Sequence, residues 1–248
     1  MSLYGVSELQ ENLTRIRSRI DQACERSGRQ PDSVRLMAVS KNQLPERVAE
    51  AVSAGLTLFG ENRIQEAKVK IPLCSGQLEW HFIGHLQSNK SRDAVSLFQV
   101  VQGMDSLALA EELQKQALKQ ARSLPILLEV NVAGESSKFG WNPDRLLAEL
   151  LQLNALNRLE VHGLMTIAPY AVDPEQVRPI FRRLRELRDR CTDLMGAPIP
   201  VLSMGMSGDL EVAIEEGATL VRVGTALFGE RPRRSDAGNP PGASDSVD

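Results

Sequence analysis

The chain has 248 residues and a formal net charge of −3, with 42% hydrophobic and 25% charged residues. This composition is typical of a globular protein of one large or two small domains, and it gives no electrostatic reason to expect binding to nucleic acid or an anionic membrane. No apolar run is long enough to span a bilayer, and the N-terminus has no apolar secretory segment. The three cysteines form no CxxC pair, so we expect a reduced, cytoplasmic protein.

The chain begins with an amphipathic helix and then alternates short apolar strands with helices. Ser7 and Gln10 have the spacing of a helix capping box. A first strand is predicted over 34–40, and each predicted strand is followed by a helix or a helical turn. The strand runs are continuously apolar, as is typical of strands that are covered on both faces. The seven further strand candidates are TLFGEN, LEWHFIG, LFQVVQGM, PILLEVNVA, RLEVHGLM, IPVLSMG and ATLVRVG.

Eight strand–helix units favour one (β/α)8 barrel over a doubly wound sheet. We therefore predict an α/β TIM barrel with an extra N-terminal helix over residues 1–230. This length leaves no room for an appended catalytic domain. The segment 231–248 is rich in Pro, Gly and Ser and is predicted to be a disordered tail. Pro179 is expected to disturb the first turns of the helix that follows Asp173.

Three features at predicted strand ends suggest chemistry. The run VRLMAVSK ends in Lys41, and a partly desolvated lysine at the C-terminal mouth of a barrel can form Schiff bases with carbonyls. The alternative is a solvated lysine just beyond a strand. The small-residue loop 203–208 and the pair Gly224-Thr225 follow the last two strands, where barrels frequently bind phosphate. Two glycine turns are the alternative there, and Asp209 is expected to have a structural role at a helix start.

An anion site beside a reactive lysine suits two ligand classes. Pyridoxal 5′-phosphate (PLP) carries both an aldehyde and a phosphate, and so does a sugar phosphate bound by a Schiff-base aldolase. Arg222 helps to separate them, because it lies inside the apolar run ATLVRVG. An arginine facing a pyridine nitrogen donates a hydrogen bond, keeps that nitrogen unprotonated and weakens the ring as an electron sink. A buried ion pair with Glu129 is the alternative.

The histidines and cysteines suggest structural roles. His81 and His85 have the spacing of a zinc-binding helix, but WHFIGH is predicted to be a strand entering a turn, and this disfavours a metal site. His162 lies in an apolar strand and is predicted to be a core histidine. Cys24 and Cys191 lie on apolar helix stripes and are predicted to be core residues.

Seven motifs carry a family resemblance: AVSK at 38–41, FGENRIQE at 59–66, WHFIGHLQSNK at 80–90, NVAGESSKFG at 131–140, GLMTI at 163–167, SMGMSGDLEVAI at 203–214 and VRVGTALFG at 221–229. The chain resembles the PLP homeostasis protein family, also called the proline synthetase co-transcribed family. The resemblance extends from the first helix to about Gly229. It implies a barrel similar to that of alanine racemase and other fold-type III PLP enzymes.

The resemblance also implies roles for individual residues. Lys41 would anchor PLP as a Schiff base, and Arg222 would face the pyridine nitrogen. Phe139 departs from the family pattern, where a smaller residue is more usual. The implied phosphate ligands are Ser207, Gly208, Gly224 and Thr225, and the implied pocket wall consists of Asn62, His85, Met165 and Ser203.

The function implied by the resemblance is non-catalytic PLP binding in PLP homeostasis and amino-acid and keto-acid balance. Barrel racemases add a tyrosine from a second domain, whereas Tyr4 and Tyr170 are the two tyrosines here and neither is placed opposite Lys41. The alternative is a minimal PLP-dependent amino-acid racemase. We expect a monomer whose partners are PLP and apo PLP-dependent enzymes. Lys138 is either a transient second aldehyde acceptor during PLP transfer or a solvated loop lysine.

Overall fold

The computed structural model describes residues 7–135 and 138–229. In these residues, eight parallel strands close into one barrel in chain order, and the last strand pairs with the first. The predicted α/β TIM barrel with an extra N-terminal helix is confirmed. The predicted tail 231–248 and Tyr4 lie outside the described residues.

Strands and helices alternate along the whole described chain. The strands are β1 (Arg35–Val39), β2 (Leu58–Glu61), β3 (Glu79–Phe82), β4 (Val100–Met104), β5 (Leu124–Glu129), β6 (Leu159–Met165), β7 (Val201–Ser203) and β8 (Leu220–Val223). The helices are α1 (Glu8–Arg26), α2 (Pro45–Ser53), α3 (Ile64–Lys70), α4 (Ser91–Leu97), α5 (Leu107–Lys119), α6 (Pro143–Asn154), α7 (Arg178–Met195), α8 (Leu210–Glu215) and α9 (Thr225–Phe228). Short 3₁₀ turns lie at Pro31–Ser33, Ile71–Leu73, Ser88–Lys90 and Pro174–Val177.

Helix α1 begins at the predicted capping box and covers the junction of the last and first strands. The Ser7 side chain accepts a hydrogen bond from the Gln10 backbone N–H, and the Gln10 side chain accepts one from the Ser7 N–H. Its buried stripe packs against α2, α8 and α9. Asn12, also buried, donates from Nδ2 to the Leu227 carbonyl at 3.0 Å. The helix therefore holds the end of the barrel near β8 in place.

Two smaller predictions about the helices are confirmed. Cys24 and Cys191 are fully buried in the helix layer, and burial raises the pKa of the Cys191 thiol to about 11. The helix after Asp173 begins as the 3₁₀ turn Pro174–Val177, and α7 follows with Pro179 in its first turn. A proline lacks the backbone N–H that an α-helix needs in its interior, so it is tolerated only at such a start.

His162 is not the core histidine that the apolar strand predicted. Its side chain is 47% exposed and lies 3.2 Å from a Glu160 carboxylate oxygen. The reason is a break in register between β5 and β6, where Ile126 is opposite Val161 and Leu127 is opposite Gly163. His162 is the extra residue of this bulge and leaves the regular alternation of faces. It lies at a cavity near the N-terminal ends of the strands, where it is exposed to solvent.

Within the described ranges, no helix is both long enough and apolar enough to cross a bilayer.

Two adjacent leucines of α6 test how the helix layer is packed. Leu150 is fully buried and Leu151 is 61% exposed. We expect Leu150→Ala to lower the free energy of unfolding by about 2–5 kcal/mol, because it removes buried methyl groups and leaves a cavity. The matched change Leu151→Ala is expected to cost less than about 0.5 kcal/mol. Chemical denaturation measures both, and equal losses would contradict the described orientation of α6.

Candidate functional site

A cavity of about 480 Å³ opens at the C-terminal ends of the barrel strands. Because the strands are parallel, the loops that follow them all meet at this face. Lys41 follows β1, and Asn62 follows β2 directly. The loops after β7 and β8 border the cavity on the other side of Lys41, because β8 pairs with β1. Eight of the ten residues predicted for the site line this cavity, namely Lys41, Asn62, His85, Ser207, Gly208, Arg222, Gly224 and Thr225.

The other two predicted site residues lie in the barrel interior, away from the cavity surface. Met165 is buried at the end of β6 and packs with Val100 and Leu127. Ser203 is fully buried at the end of β7, where its side chain contacts Gln102 and Arg222. The sequence motifs place both residues near the site, but the strand pleat directs their side chains into the barrel.

Glycines bring the ends of three strands close together at this face. A Cβ atom at Gly84 would lie 2.5 Å from the Asn62 carbonyl oxygen. A Cβ atom at Gly103 would lie 2.0 Å from the Gly84 carbonyl oxygen. No side chain fits at either distance, so only glycine permits the approach that carries Asn62 and His85 to the same cavity.

A buried lysine that the sequence did not reveal fixes the chain on both sides of Lys41. Lys70 Nζ donates to the Ser40 carbonyl at 2.7 Å, to Glu61 Oε1 at 2.8 Å and to Glu66 Oε1 at 2.5 Å. The Ser40 hydroxyl also donates to Glu61 at 2.6 Å, and the Asn42 backbone N–H donates to Glu66 at 2.6 Å. The residues before and after Lys41 are therefore tied to one ammonium group.

This cluster links a left-handed turn at the surface to a buried ion pair. Asn42 has a φ of +61°, a left-handed conformation that asparagine adopts more readily than most side chains. The side chains of Lys70 and Glu61 are only 5% and 0% exposed. Burial raises the pKa of Glu61, and the hydrogen bonds from Lys70 and Ser40 oppose that rise.

Arg222 is buried in the barrel and reaches the cavity floor. Its guanidinium donates to the Ser203 carbonyl and hydroxyl, both at 2.7 Å, and to the Thr166 carbonyl at 2.8 Å. In the described part of the chain, no Arg222–Glu129 salt bridge within 4.0 Å is formed. Burial lowers the pKa of Arg222 to about 10, while Asp209 and Glu129 oppose the shift, so the side chain remains a cation at neutral pH.

Glu129, at the end of β5, lines the cavity, although its sequence position suggested only an ion pair with Arg222. It is 7% exposed and lines the cavity together with Arg222. Burial and the nearby Asp105 raise the pKa of Glu129 to about 7, against the lowering effect of Arg222. The cavity therefore contains a carboxyl group that changes charge near neutral pH.

His85 is held from two sides at the cavity wall. Its Nδ1 lies 3.0 Å from Asp105 Oδ2. The imidazole stacks on the Phe139 ring with 3.6 Å between the ring centroids and 10° between the planes. Phe139 is thus part of the cavity wall. Sequence position alone could not reveal this contact, because the two residues come from the loops after β3 and β5.

Lys138 lies at a side cavity of about 200 Å³ next to Glu129 and Phe139. Its Nζ is 2.7 Å from a Glu135 carboxylate oxygen and 3.4 Å from the Ile167 carbonyl. Both Glu129 and Phe139 also line the main cavity. Lys138 is therefore at the same barrel end as Lys41, and its role as a second aldehyde acceptor stays a prediction.

Asp209 organises the loop that follows β7. Its Oδ1 accepts a hydrogen bond from the Met206 backbone N–H at 2.6 Å, and the Asp209 N–H donates to the Met206 carbonyl. The residues between them, Ser207 and Gly208, are thereby presented to the cavity. A structural role of Asp209 at the start of α8 agrees with these contacts.

The two histidines with zinc-like spacing face different surroundings. His81 points into the barrel, where it contacts Glu79 and Gln102, whereas His85 lies at the upper cavity. Over residues 7–135 and 138–229, no group of three or more His, Cys, Asp or Glu side chains is arranged to hold a metal ion.

A family model and individual relatives agree on the family to which this chain is similar. Residues 11–232 match the family model of the alanine racemase N-terminal domain. A pyridoxal phosphate homeostasis protein of Aquifex aeolicus is 47% identical over 222 residues, which cover 89% of this chain and 97% of that protein. One from Pseudomonas aeruginosa is 44% identical over 227 residues, covering 91% and 97% of the two chains. The chain belongs to the pyridoxal phosphate homeostasis protein family.

Solved structures extend the family comparison. PipY of Synechococcus elongatus PCC7942, in a structure described as having PLP bound, matches with a TM-score of 0.80 and 39% identity over 90% of this chain and all of that one. Alanine racemase of Clostridium difficile matches with a TM-score of 0.71 at 16% identity, over 91% of this chain and 57% of that chain. The match to alanine racemase shows a shared fold, whereas the match to PipY extends to the sequence.

The Lys70 cluster predicts an asymmetric pair of lysine variants. We expect Lys70→Met to lower the free energy of unfolding by about 3–5 kcal/mol near neutral pH, because it leaves the Glu61 carboxylate buried without its cation. Lys68→Met is the control, since Lys68 is 52% exposed and pairs with Asp93 at the surface; we expect a loss of less than about 1 kcal/mol.

The Lys70→Met loss also depends on pH. Protonated Glu61 needs no cation, so the deficit should shrink as the pH falls below the ordinary glutamate pKa, where the carboxyl becomes neutral in both the folded and the unfolded chain. Denaturant titration at several pH values measures this, and a deficit that is independent of pH would contradict the described cluster.

Glu129 predicts a second pH effect with a defined sign. Its folded-state pKa is raised from 4.5 to about 7, so its contribution to stability is complete below pH 4.5 and is lost as the pH rises through 7. We expect Glu129→Gln to gain stability relative to the unaltered chain between about pH 5 and about pH 8. Glu111→Gln, at an exposed position, is the control and should show no such relative gain.

Proposed function

We propose that this chain binds PLP without catalysing a reaction and that it acts in PLP homeostasis and in amino-acid and keto-acid balance. The observation that carries the proposal is the convergence of Lys41, Arg222 and the loops after β7 and β8 on one cavity of about 480 Å³. The description of PipY with PLP bound supports the same ligand. When bound, PLP supplies an aldehyde for a lysine and an electron-accepting ring.

The polar groups of the cavity suit the aldehyde, the pyridine nitrogen and the phosphate of PLP. An amine at Lys41 suits the aldehyde, and Arg222 at the floor suits the pyridine nitrogen as a hydrogen-bond donor. The hydroxyls of Ser207 and Thr225 and the adjacent backbone N–H groups suit the phosphate. A Cβ atom at Gly208 would meet nothing within 4 Å, whereas one at Gly224 would lie 3.3 Å from the Val39 carbonyl oxygen. The loop at Gly208 therefore leaves open space, whereas Gly224 packs closely against Val39.

The contacts of Arg222 argue against efficient carbanion chemistry. The side chain stays a cation at neutral pH, because its lowered pKa is still about 10. A permanent donor facing the pyridine nitrogen keeps that nitrogen unprotonated, and this weakens the ring as an electron sink. Such a floor holds and orients the ligand better than it stabilises negative charge on a substrate.

The acid–base groups around the cavity also favour a carrier. Tyr170 is 93% exposed, and no tyrosine is found in the cavity lining over the described ranges. Glu129 is the lining group with a pKa near 7, and it lies beside Arg222 at the floor. It is the residue on which the alternative, a minimal amino-acid racemase, would depend.

The proposal extends to partners and state. A cavity at an open barrel end allows PLP to load and leave, so we propose apo PLP-dependent enzymes as recipients and a cytoplasmic location. A complete small barrel buries its own core, and we therefore propose a monomer. Size-exclusion chromatography with light scattering tests the oligomeric state, and a stable dimer would contradict it.

The central test is the visible absorbance of lysine-bound PLP. We expect the purified chain to show this band after addition of PLP, and Lys41→Ala to lose it. Lys138→Ala should keep it, because Lys138 is paired with Glu135 at the side cavity. Borohydride reduction followed by peptide mapping should place the reduced adduct on Lys41. Mapping to another lysine, or a band that survives in Lys41→Ala, would contradict the assignment.

Turnover separates the carrier from its alternatives. The PLP-loaded chain is incubated with a panel of L-amino acids in deuterium oxide, and loss of optical rotation and exchange of the α-proton are measured. Robust turnover that disappears in Glu129→Gln would establish the racemase instead. A Schiff-base aldolase would show no PLP chromophore and would cleave sugar phosphates.

A further inference from the structure

A chain of hydrogen bonds runs through the barrel interior from Glu79, at the N-terminal end of β3, to Arg222. Arg222 Nη1 donates to Ser203 Oγ at 2.7 Å, and Ser203 Oγ donates to Gln102 Oε1 at 2.7 Å. Gln102 Nε2 lies 2.7 Å from His81 Nδ1, and His81 Nε2 lies 2.6 Å from Glu79 Oε1. The three residues Gln102, His81 and Ser203 are at most 3% exposed.

Arg222, at one end of this chain, fixes the direction of every hydrogen bond in it. A guanidinium can only donate, so Ser203 Oγ must accept from Arg222. The single hydroxyl proton of Ser203 then goes to Gln102, whose amide oxygen accepts it. The amide nitrogen of Gln102 therefore faces His81 and donates, which requires an unprotonated Nδ1.

Glu79, at the other end of the chain, requires the same direction of the hydrogen bonds. Glu79 pairs with Arg35 at 2.5 Å and is a carboxylate at neutral pH, so it only accepts hydrogen bonds. His81 Nε2 must then carry a proton. Burial lowers the pKa of His81, and this favours the neutral imidazole. Both ends thus require the same tautomer of His81.

We propose that Gln102 and His81 are positioning residues for Arg222, and that the chain from Glu79 to Ser203 holds the guanidinium in one orientation at the cavity floor. The inference rests on the proposed PLP function for what Arg222 contacts, but the hydrogen-bond direction belongs to the protein alone. Reversing the bond between Ser203 and Gln102 would leave the Ser203 hydroxyl proton without an acceptor, a costly arrangement in a dry interior.

The first test needs no variant and no PLP. The chain contains three histidines, and His85→Gln and His162→Gln spectra assign the remaining ring. Nitrogen-15 NMR of the full chain without PLP should show His81 as the neutral Nε2–H tautomer at neutral pH. An Nδ1–H tautomer or an imidazolium would overturn the proposed direction. Failure of the wild-type chain to bind PLP would instead overturn the proposed function and leave this measurement intact.

The second test measures the effect on the cavity. Gln102→Met removes the acceptor of Ser203, and Ser203→Ala cuts the same link from the other side. We expect each to weaken PLP binding about tenfold in absorbance titrations, and the double variant to weaken it no further. His162→Gln, at an exposed histidine near the N-terminal ends of the strands, should bind like the unaltered chain. Unchanged affinities or additive losses would overturn the proposal.

Rescue distinguishes positioning from simple loss of packing. Gln102→Glu keeps an acceptor for Ser203 and presents a second acceptor to His81. We expect it to restore most of the affinity lost in Gln102→Met, and to add a proton at His81 Nδ1 in the NMR spectrum. Failure of this rescue in a folded variant would assign Gln102 to packing alone. If Gln102→Met does not fold, Ser203→Ala and the wild-type spectrum decide the question.

Discussion

The interior of this barrel excludes water, so each polar side chain placed there must find partners among its neighbours. Arg222 illustrates the rule, because its charge is held by two carbonyl groups and the Ser203 hydroxyl. Lys70 illustrates it at the edge of the barrel, where one ammonium contacts Ser40, Glu61 and Glu66. The partners that make these cations tolerable are also the groups that fix the cavity floor and the turn at Lys41.

The balance of charges then gives the cavity its character. Burial lowers the pKa of Arg222 and raises the pKa of Glu129, because it favours the neutral form of both side chains. The arginine has a pKa so high that the shift to about 10 leaves it charged. The glutamate starts lower, and its shift to about 7 brings it to the edge of ionisation. The result is a fixed cation beneath the cavity and a titratable carboxyl beside it.

The comparison with alanine racemase separates fold from function. At 16% identity the two chains share the barrel, because closure of eight parallel strands depends on patterning more than on particular residues. What a barrel does is decided by the loops at one end. Here those loops bring Phe139 onto His85 and place Glu129 beside Arg222. These contacts form one wall and part of the floor of the cavity.

The sequence by itself determined the barrel, the first helix and most of the cavity. Continuous apolar runs between helices specify parallel strands covered on both sides, and residues placed just beyond such strands must meet at one face. That is why Lys41, the loop 203–208 and the pair Gly224-Thr225 could be assigned to one site before their distances were known. The assignment of Asn62 came from the family resemblance. The capping box at Ser7 was equally local, since its two partners are three residues apart.

Only the tertiary structure decided the contacts between distant loops and the direction of side chains inside the barrel. Met165 and Ser203 belong to the expected motifs, yet the strand pleat turns them below the cavity. His162 is exposed because a register break between β5 and β6 removes it from the regular alternation of side chains. The residue types along the two strands do not predict such a break. Lys70, Gln102 and Phe139 act through partners from other strands and loops. Burial and partner choice depend on how the whole chain closes, so these roles appear only in the folded barrel.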